Sequence, residues 1–319
     1  MTTTNLWQKQ LTPSNKMNNG IRSKGRPKVS LFLLTAIAFG CGGNQNDPLP
    51  RSGVLTDDLG VDVRISPTPQ RIVSLAPSIT ETLFALGLDS AVVGVTDYCD
   101  YPPAALNKVR VGGLSNPGFE QIASLNPDLI LLSVAGNSQA DYNKLSSLGF
   151  RLFVSNPSTI GSLFTSIKKI GELTGTGPRA DSLLAILRKT QDSLTLTARL
   201  RPKKSVLMLV SIRPLIAVGK GTFLHELIEM ANARNVAVDA AVSYPIMSRE
   251  HILTLQPHAI IVMSDVARSP EDIVNAYNEW RTLRAVQSNS VMILDASLLS
   301  RPGPRIMKGL ELLVSALAH

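Results

Sequence analysis

The chain has 319 residues, a length that suits two α/β units of about 100–150 residues each. With 44% hydrophobic and 18% charged residues it is not a disordered chain, and it is long enough to fold without a disulfide scaffold or structural metal. Six of its 32 basic residues fall within residues 1–40, which contain no acid, so the remainder has 26 basic and 24 acidic residues. The net charge of +8 therefore comes mainly from the N-terminal segment, and the composition excludes a basic nucleic-acid-binding surface.

The N-terminus has the pattern of an export signal. Three basic residues between positions 24 and 28 precede an apolar run over residues 31–39. That run is shorter than the ~20 residues that span a membrane. We predict a signal peptide over residues 1–40, and Met17 is an alternative start that would give a signal of ordinary length.

The chain has two cysteines, Cys41 and Cys99. The segment Ala38-Phe39-Gly40-Cys41 resembles a bacterial lipobox, in which the Cys thiol is acylated and becomes the new N-terminus. The alternative is an ordinary secretory cleavage near an unmodified Cys41. With Cys41 lipidated, Cys99 has no disulfide partner, and we predict a small, partly buried thiol there in preference to a metal ligand.

Residues 41–69 are predicted to form a tether with a loose strand, and a regular pattern begins after them. A buried strand is predicted over residues 72–76, followed by a helix that opens with a Ser78–Glu81 capping box and ends near Gly87. Further strands are predicted over residues 91–95, 129–134 and 151–154, and a further helix over 139–148.

Residues 159–200 differ from this alternation. Two helical stretches meet at residues 175–178, and the second has no breaker before Pro202. A helix of ~20 residues spans about 30 Å, which suits a strut between two units. We predict an N-terminal ligand-binding lobe over residues 70–160, a helical linker over 161–202 and a C-terminal ligand-binding lobe over 203–319.

The alternation resumes after the linker. Strands are predicted over residues 205–210, 259–263 and 291–294, and helices over 222–233, 248–255, 270–277 and 304–317. Alternating strands and helices predict a parallel sheet in each half.

An internal repeat relates the two halves. Residues 120–130 and 250–260 share Glu, Ile, Leu and Pro at identical spacing, 130 residues apart. Each copy predicts a short helix that stops before a Pro and leads into a buried strand. Each also places a Glu, Glu120 or Glu250, at the start of its helix. A Glu there can simply complement the helix dipole, but two at matched places favour a paired surface role.

Catalytic and nucleotide-binding motifs are absent from the sequence: it has no P-loop, no dinucleotide fingerprint and no hydrolase elbow. Its four histidines show no metal-ligand spacing, and His258 is predicted to be a hydrogen-bonded structural residue. The loop Arg301-Pro302-Gly303-Pro304-Arg305 suits either an anion or amide clamp or a capped turn with solvated arginines.

Several motifs together resemble a known family. They are Arg71-Ile-Val-Ser-Leu-Ala-Pro-Ser-Ile-Thr-Glu81, Val93-Gly-Val-Thr-Asp-Tyr-Cys-Asp-Tyr-Pro102, Leu125-Asn-Pro-Asp-Leu-Ile130, Ser248-Arg-Glu250 and Arg301-Pro-Gly-Pro-Arg-Ile306. The chain resembles the substrate-binding proteins of cobalamin, haem and ferric-siderophore ABC importers over roughly residues 65–319, and within that family the cobalamin-binding members most. The resemblance implies two Rossmann-like α/β lobes with parallel sheets, bridged by one long helix, with the ligand between them.

The resemblance also implies site residues. Tyr98, Tyr244 and the loop Ser297, Leu298, Leu299, Ser300 and Arg301 match ligand-contacting positions, and Glu120 and Glu250 match the carboxylates that dock the permease dimer. Two aromatic residues of the cobalamin-binding members are replaced near residues 113–115 and 133–134.

The function implied is a non-catalytic lipoprotein outside the cytoplasmic membrane. It would bind a corrinoid as a monomer, with no cofactor or catalytic metal of its own, and deliver it to an ABC importer. The alternatives are a ferric-siderophore or haem carrier, an extracytoplasmic enzyme that acts in the cleft, and a sensor or adhesion lipoprotein. No nucleophile–base pair in the sequence favours the enzyme.

Overall fold

The N-terminal half contains a five-stranded parallel sheet. A computed structural model describes residues 53–318. The strands of this sheet are β3 Ile72–Ser74, β4 Val92–Val95, β5 Val109–Arg110, β6 Leu129–Ser133 and β7 Leu152–Ser155, and they stand in the order β5-β4-β3-β6-β7. The helices are α1 Pro77–Ala85, α2 Phe119–Ser124 and α3 Gln139–Ser147, with a 3-10 turn at Pro103–Asn107.

An antiparallel hairpin precedes this sheet, where the sequence predicted only a loose strand. It pairs β1 Val54–Thr56 with β2 Asp62–Arg64. The Asp57 carboxylate closes the turn by accepting the backbone N–H groups of Leu59 and Val61, each at 2.9 Å, and it also accepts the N–H of Val154 in β7. The hairpin is thereby fastened to the edge of the sheet.

Two long helices follow β7. Helix α4, Ile160–Leu173, begins at a capping box between Thr159 and Ser162. Helix α5, Gly177–Arg199, has 23 residues, which at 1.5 Å per residue is about 35 Å. It packs on α4 at one end and on helices of the C-terminal half at the other. The long bridging helix predicted from the sequence is present.

The C-terminal half contains a second sheet. Strands β8 Lys204–Ile212, β10 Ala233–Asn235, β11 Ala259–Met263 and β12 Val291–Leu294 are parallel in the order β10-β8-β11-β12. Strand β9, Leu215–Ala217, pairs antiparallel with β8, so this sheet is not purely parallel as predicted. The helices are α6 Phe223–Met230, α7 Arg249–Leu255, α8 Pro270–Ala276, α9 Arg284–Gln287, α10 Ala296–Leu299 and α11 Ile306–Ala316, with a 3-10 turn at Asn278–Thr282.

The predicted helix over residues 222–233 is wrong at its end. Helix α6 stops at Met230, and Asn232 has a positive φ of 54°. The chain then enters the edge strand β10 at Ala233, the last residue of the predicted helix.

One apolar core runs through both halves. Alternate residues of each central strand face it, such as Leu131 in β6 and Ile261 in β11, and Leu184 of α5 belongs to the same core. The intervening residues, such as Ile130 and Ile260, face separate cores on the outer sides of the sheets. The two lobes are therefore joined by shared apolar packing as well as by the chain. Between residues 53 and 318, no helix is both long and apolar enough to cross a membrane.

Candidate ligand-binding cleft

The topology of each sheet places a crevice at the carboxyl ends of its central strands. In the N-terminal sheet the chain moves outward from β3 to β4 and β5 on one side, and to β6 and β7 on the other. In the C-terminal sheet β8 stands between β10 and β11 in the same way. Ligands of open α/β sheets bind at such switch points, because the loops diverge there.

Two adjoining cavities occupy the space between these switch points. Their volumes are about 490 Å³ and about 280 Å³. Both are lined by Ser133 at the end of β6 and Ala135 just after it, and by Asp265, Ser300 and Pro302 from the C-terminal lobe. We call the two together the cleft. A shallow depression of about 670 Å³ lies on the C-terminal lobe and shares Asp265 with the cleft, but no residue of the other lobe lines it.

Two exposed tyrosines line the cleft from opposite lobes. Tyr98 follows β4, lines the smaller cavity and is 57% exposed. Tyr244 lines the larger cavity and is 41% exposed, and partial burial raises the pKa of its phenol. Its segment runs along β9, since Gly219 N–H donates to Ser243 O at 2.7 Å and Ala217 N–H to Pro245 O at 3.0 Å. Tyrosine is enriched at binding interfaces, because its ring offers apolar surface while its hydroxyl stays hydrated.

An ion-pair network joins the lobes beside the smaller cavity. Arg305 of the C-terminal lobe donates through Nε and Nη2 to the two carboxylate oxygens of Glu81, at 2.8 and 2.6 Å. Arg301 donates to both oxygens of Asp100, at 2.5 and 3.2 Å, and Nη1 also lies 3.5 Å from Glu81. The hydrogen bonds from Arg301 hold the pKa of Asp100 below its ordinary value, and the same hydrogen bonds raise the pKa of Arg301.

The predicted capping box at Ser78 and Glu81 is wrong. Ala76 is the N-cap of α1 and no side chain caps the helix. Glu81 is almost fully buried and its carboxylate points to the arginines of the other lobe. Of the two alternatives for residues 301–305, the structure does not have the capped turn with solvated arginines, because both guanidinium groups bind carboxylates of their own chain and Arg305 stacks on Tyr101 at 4.0 Å.

The predicted contact loop lies only partly in the cleft. Ser300 lines both cavities and Arg301 lines the smaller one. Leu299 is fully buried in the shared core, and Ser297 and Leu298 line neither cavity. The turn of α10 explains this, since Ser297 N–H is held by Asp295 at 2.7 Å and the helix directs Leu299 inward.

The two segments in which the resemblance implies replaced aromatic residues, 113–115 and 133–134, both contribute to the cleft. Leu114 lies in the smaller cavity and Val134 in the larger one, with Ser133 in both. These residues give the N-terminal wall of the cleft aliphatic side chains and a hydroxyl beside one tyrosine, Tyr98.

Glu120 and Glu250 both lie exposed in the first turn of their helices, α2 and α7. Within residues 53–318 neither carboxylate has an ion pair or hydrogen bond. The structure thus leaves both side chains open to a partner.

Asp265 and Asp100 were missed by sequence reasoning. Asp265 comes two residues after the buried strand β11, so its position at the carboxyl end of a central strand was the available signal. Asp100 carried no such signal, because its partner Arg301 is 201 residues away.

Two other predicted residues have structural roles, and one lies outside the described part. Cys99 is buried between the hydroxyls of Thr80 and Thr96, at 3.1 and 3.2 Å, and no cluster in residues 53–318 could hold a metal ion. His258 Nδ1 lies 2.6 Å from Ser205 Oγ. Cys41 lies outside residues 53–318.

Comparisons with known proteins agree with this architecture. The chain is 32% identical over 304 residues to the ABC transporter substrate-binding lipoprotein YvrC of Bacillus subtilis, covering 91% of this chain and 95% of that protein. It is 33% identical over 248 residues to a vitamin B12-binding protein of Vibrio cholerae, covering 76% and 87%. The crystal structure of a periplasmic vitamin B12-binding protein of Vibrio cholerae superimposes with a TM-score of 0.67 at 30% identity, covering 78% of this chain and 96% of that one.

A family model for periplasmic binding proteins matches residues 72–298, which include both sheets and the bridging helix. Members of this family are substrate-binding components of ABC importers and not enzymes. The protein therefore belongs to the periplasmic binding protein family.

Proposed function

We propose that this protein captures a corrinoid in the cleft and delivers it to its ABC importer. The observation that carries the proposal is the pair of exposed tyrosines, Tyr98 and Tyr244, that face one cleft from opposite lobes. A corrin is a broad, mostly apolar ring edged with amides, so it needs flat apolar walls and a few hydrogen-bond donors. Arg301 and Ser300 supply donors at the rim. Relatives named vitamin B12-binding proteins support the same ligand class.

The proposal includes attachment to a membrane. Cys41 ends an apolar run behind a basic segment, and acylation of its thiol would anchor the mature protein. The similarity to a protein named as a lipoprotein supports this placement. Glu120 and Glu250, one on each half of the repeat, are proposed to dock the two halves of the permease.

Calorimetric titration with cyanocobalamin tests the ligand. Truncation of Tyr98 or Tyr244 to Ala should weaken binding by about 1–3 kcal/mol, the scale for burial of an aromatic side chain. Leu200→Ala is the matched control, since Leu200 is 87% exposed and lines neither cavity.

No heat of binding and no thermal protection by cyanocobalamin would reject the corrinoid. The absorption spectrum of protein purified from its native host would then show a haem or ferric-siderophore chromophore in its place.

A further inference from the structure

The positive charges of Arg301 and Arg305 beside the cleft are both paired with carboxylates of the chain itself. Of the residues that line the two cavities, Arg301 and Asp265 carry charge. Arg301 and Arg305 are matched by Glu81 and Asp100 at ion-pair distance. With Asp265 included, this group has two positive and three negative charges, so it offers no net positive potential to an anion.

The two carboxylates that face the arginines differ in exposure. The Glu81 side chain is 2% exposed and is held by Arg305 through two short hydrogen bonds, so it is part of the joint between the lobes. The Asp100 side chain is 59% exposed and holds Arg301 at the border of the smaller cavity. Of the two carboxylates that pair with the arginines, Asp100 is therefore the one that an incoming ligand would meet.

Arg301 retains donors after these contacts. Its hydrogen bonds to Asp100 and Glu81 use Nη1 and Nη2, while Nε–H and a second Nη2–H have no acceptor among residues 53–318. A neutral carbonyl oxygen can accept from these groups while Asp100 stays in place. A carboxylate or phosphate at the same point would lie beside like charges, which are unfavourable across a partly desolvated contact.

We propose that Asp100 is a specificity-determining residue. By neutralising Arg301 it sets the cleft to accept ligands edged with uncharged amide carbonyls and to disfavour ligands that present carboxylates. This inference rests on the proposed function and narrows it. A corrinoid bears primary amides around its ring, whereas haem bears two carboxylates and ferric catecholates are anionic.

The test uses two probes with one chromophore: cyanocobalamin, and the set of its monocarboxylate isomers, in each of which one side-chain amide is hydrolysed to a carboxylate. Wild-type protein should bind at least one isomer about tenfold more weakly than cyanocobalamin, because that carboxylate meets Asp100. Asp100→Asn keeps the side-chain shape and removes the charge. It should reduce that ratio to about threefold or less.

Asp97→Asn is the matched control, since Asp97 is exposed three residues away and lines neither cavity. It should keep the wild-type ratio, and thermal unfolding should confirm that both variants are folded. Absence of cyanocobalamin binding to the wild-type protein overturns the proposed function and this inference together. Binding of cyanocobalamin with a ratio that Asp100→Asn leaves unchanged, or that Asp97→Asn lowers equally, overturns the inference alone.

Discussion

The two copies of the internal repeat show which parts of a shared plan are fixed by geometry. In each copy a short helix, α2 or α7, is followed by a central strand, β6 or β11. Each helix ends before a residue with positive φ, Asn126 at 46° and Gln256 at 42°. A Pro follows in both cases and disfavours continuation of the helix. The Pro and the apolar positions, which the copies share, thus determine their common course.

The side-chain hydrogen bonds that tie each copy to the neighbouring strand differ at one equivalent position. Asp128, before β6, accepts the backbone N–H groups of Gln70 and Arg71, at 2.7 and 3.0 Å. His258, before β11, has Nδ1 2.6 Å from Ser205 Oγ and 3.3 Å from Ser205 N. Each side chain ties its strand to the start of the neighbouring one, β3 or β8. The same joint is made by a carboxylate in one lobe and by an imidazole in the other.

The largest effect is expected when the charge of one of the two matched carboxylates, Glu120 or Glu250, is reversed and uptake through the permease is measured. Glu120→Arg or Glu250→Arg should each lower the initial rate of cyanocobalamin uptake about tenfold or more, because like charges would then oppose each other at the contact. The double variant should be lower still. Uptake is measured in cells that express only the variant.

Glu311→Arg on α11 is the control, since Glu311 is exposed and lies outside the repeat. All variants should bind cyanocobalamin as the wild type does. Normal uptake by both single variants would show that the matched carboxylates have no docking role.

A second pair of variants compares the separate apolar cores of the two lobes, into which the two copies of the repeat each place an isoleucine. Ile130 and Ile260 occupy equivalent places in the repeat and are both fully buried, each in the core of its own lobe. Ile→Ala at either position should lower the free energy of unfolding by about 2–5 kcal/mol, since each leaves a cavity. Chemical denaturation measures both. A large loss at one position with almost none at the other would show that the lobes are packed differently.

The smallest effect concerns pH. Burial, and then the positive charges of Arg284, Arg234 and Lys204, lower the pKa of His258 below its ordinary value of 6.5. The folded state disfavours the protonated ring, so the neutral His258 ring favours folding. Its contribution to the free energy of unfolding is fully present above pH 6.5 and is lost as the pH falls through the lower pKa of the folded state. Stability should decline slightly on acidification, and His258→Asn should flatten that decline.

The matched control for this effect is His251→Asn, on the exposed face of α7. Thermal unfolding followed between pH 7 and pH 5 should show the wild-type slope for this variant. An unchanged slope in His258→Asn would show that His258 does not contribute to the loss of stability on acidification.

Much of the fold could be predicted because its strands are buried on both faces. The apolar run of β11 gave its bounds directly, as did that of β12. Strands β9 and β10 were missed because each has three residues at the side of the sheet, too few to show a pattern. The site was less predictable. Glu81 fits a capping box locally, but its ion pair with Arg305 depends on a contact 224 residues away, which no local pattern carries.

The hairpin at the start of the described chain has a mechanical consequence. Its open end is where the chain enters at Gly53 and leaves at Ile65, joined by the hydrogen bond from Ile65 N–H to Gly53 O. Tension from the membrane attachment proposed at Cys41 would arrive at this open end, where the pairs separate one at a time. The two strands of the hairpin would therefore separate first and add length to the tether. The sheet that forms the cleft, to which the hairpin is held through Asp57 and β7, would keep its shape.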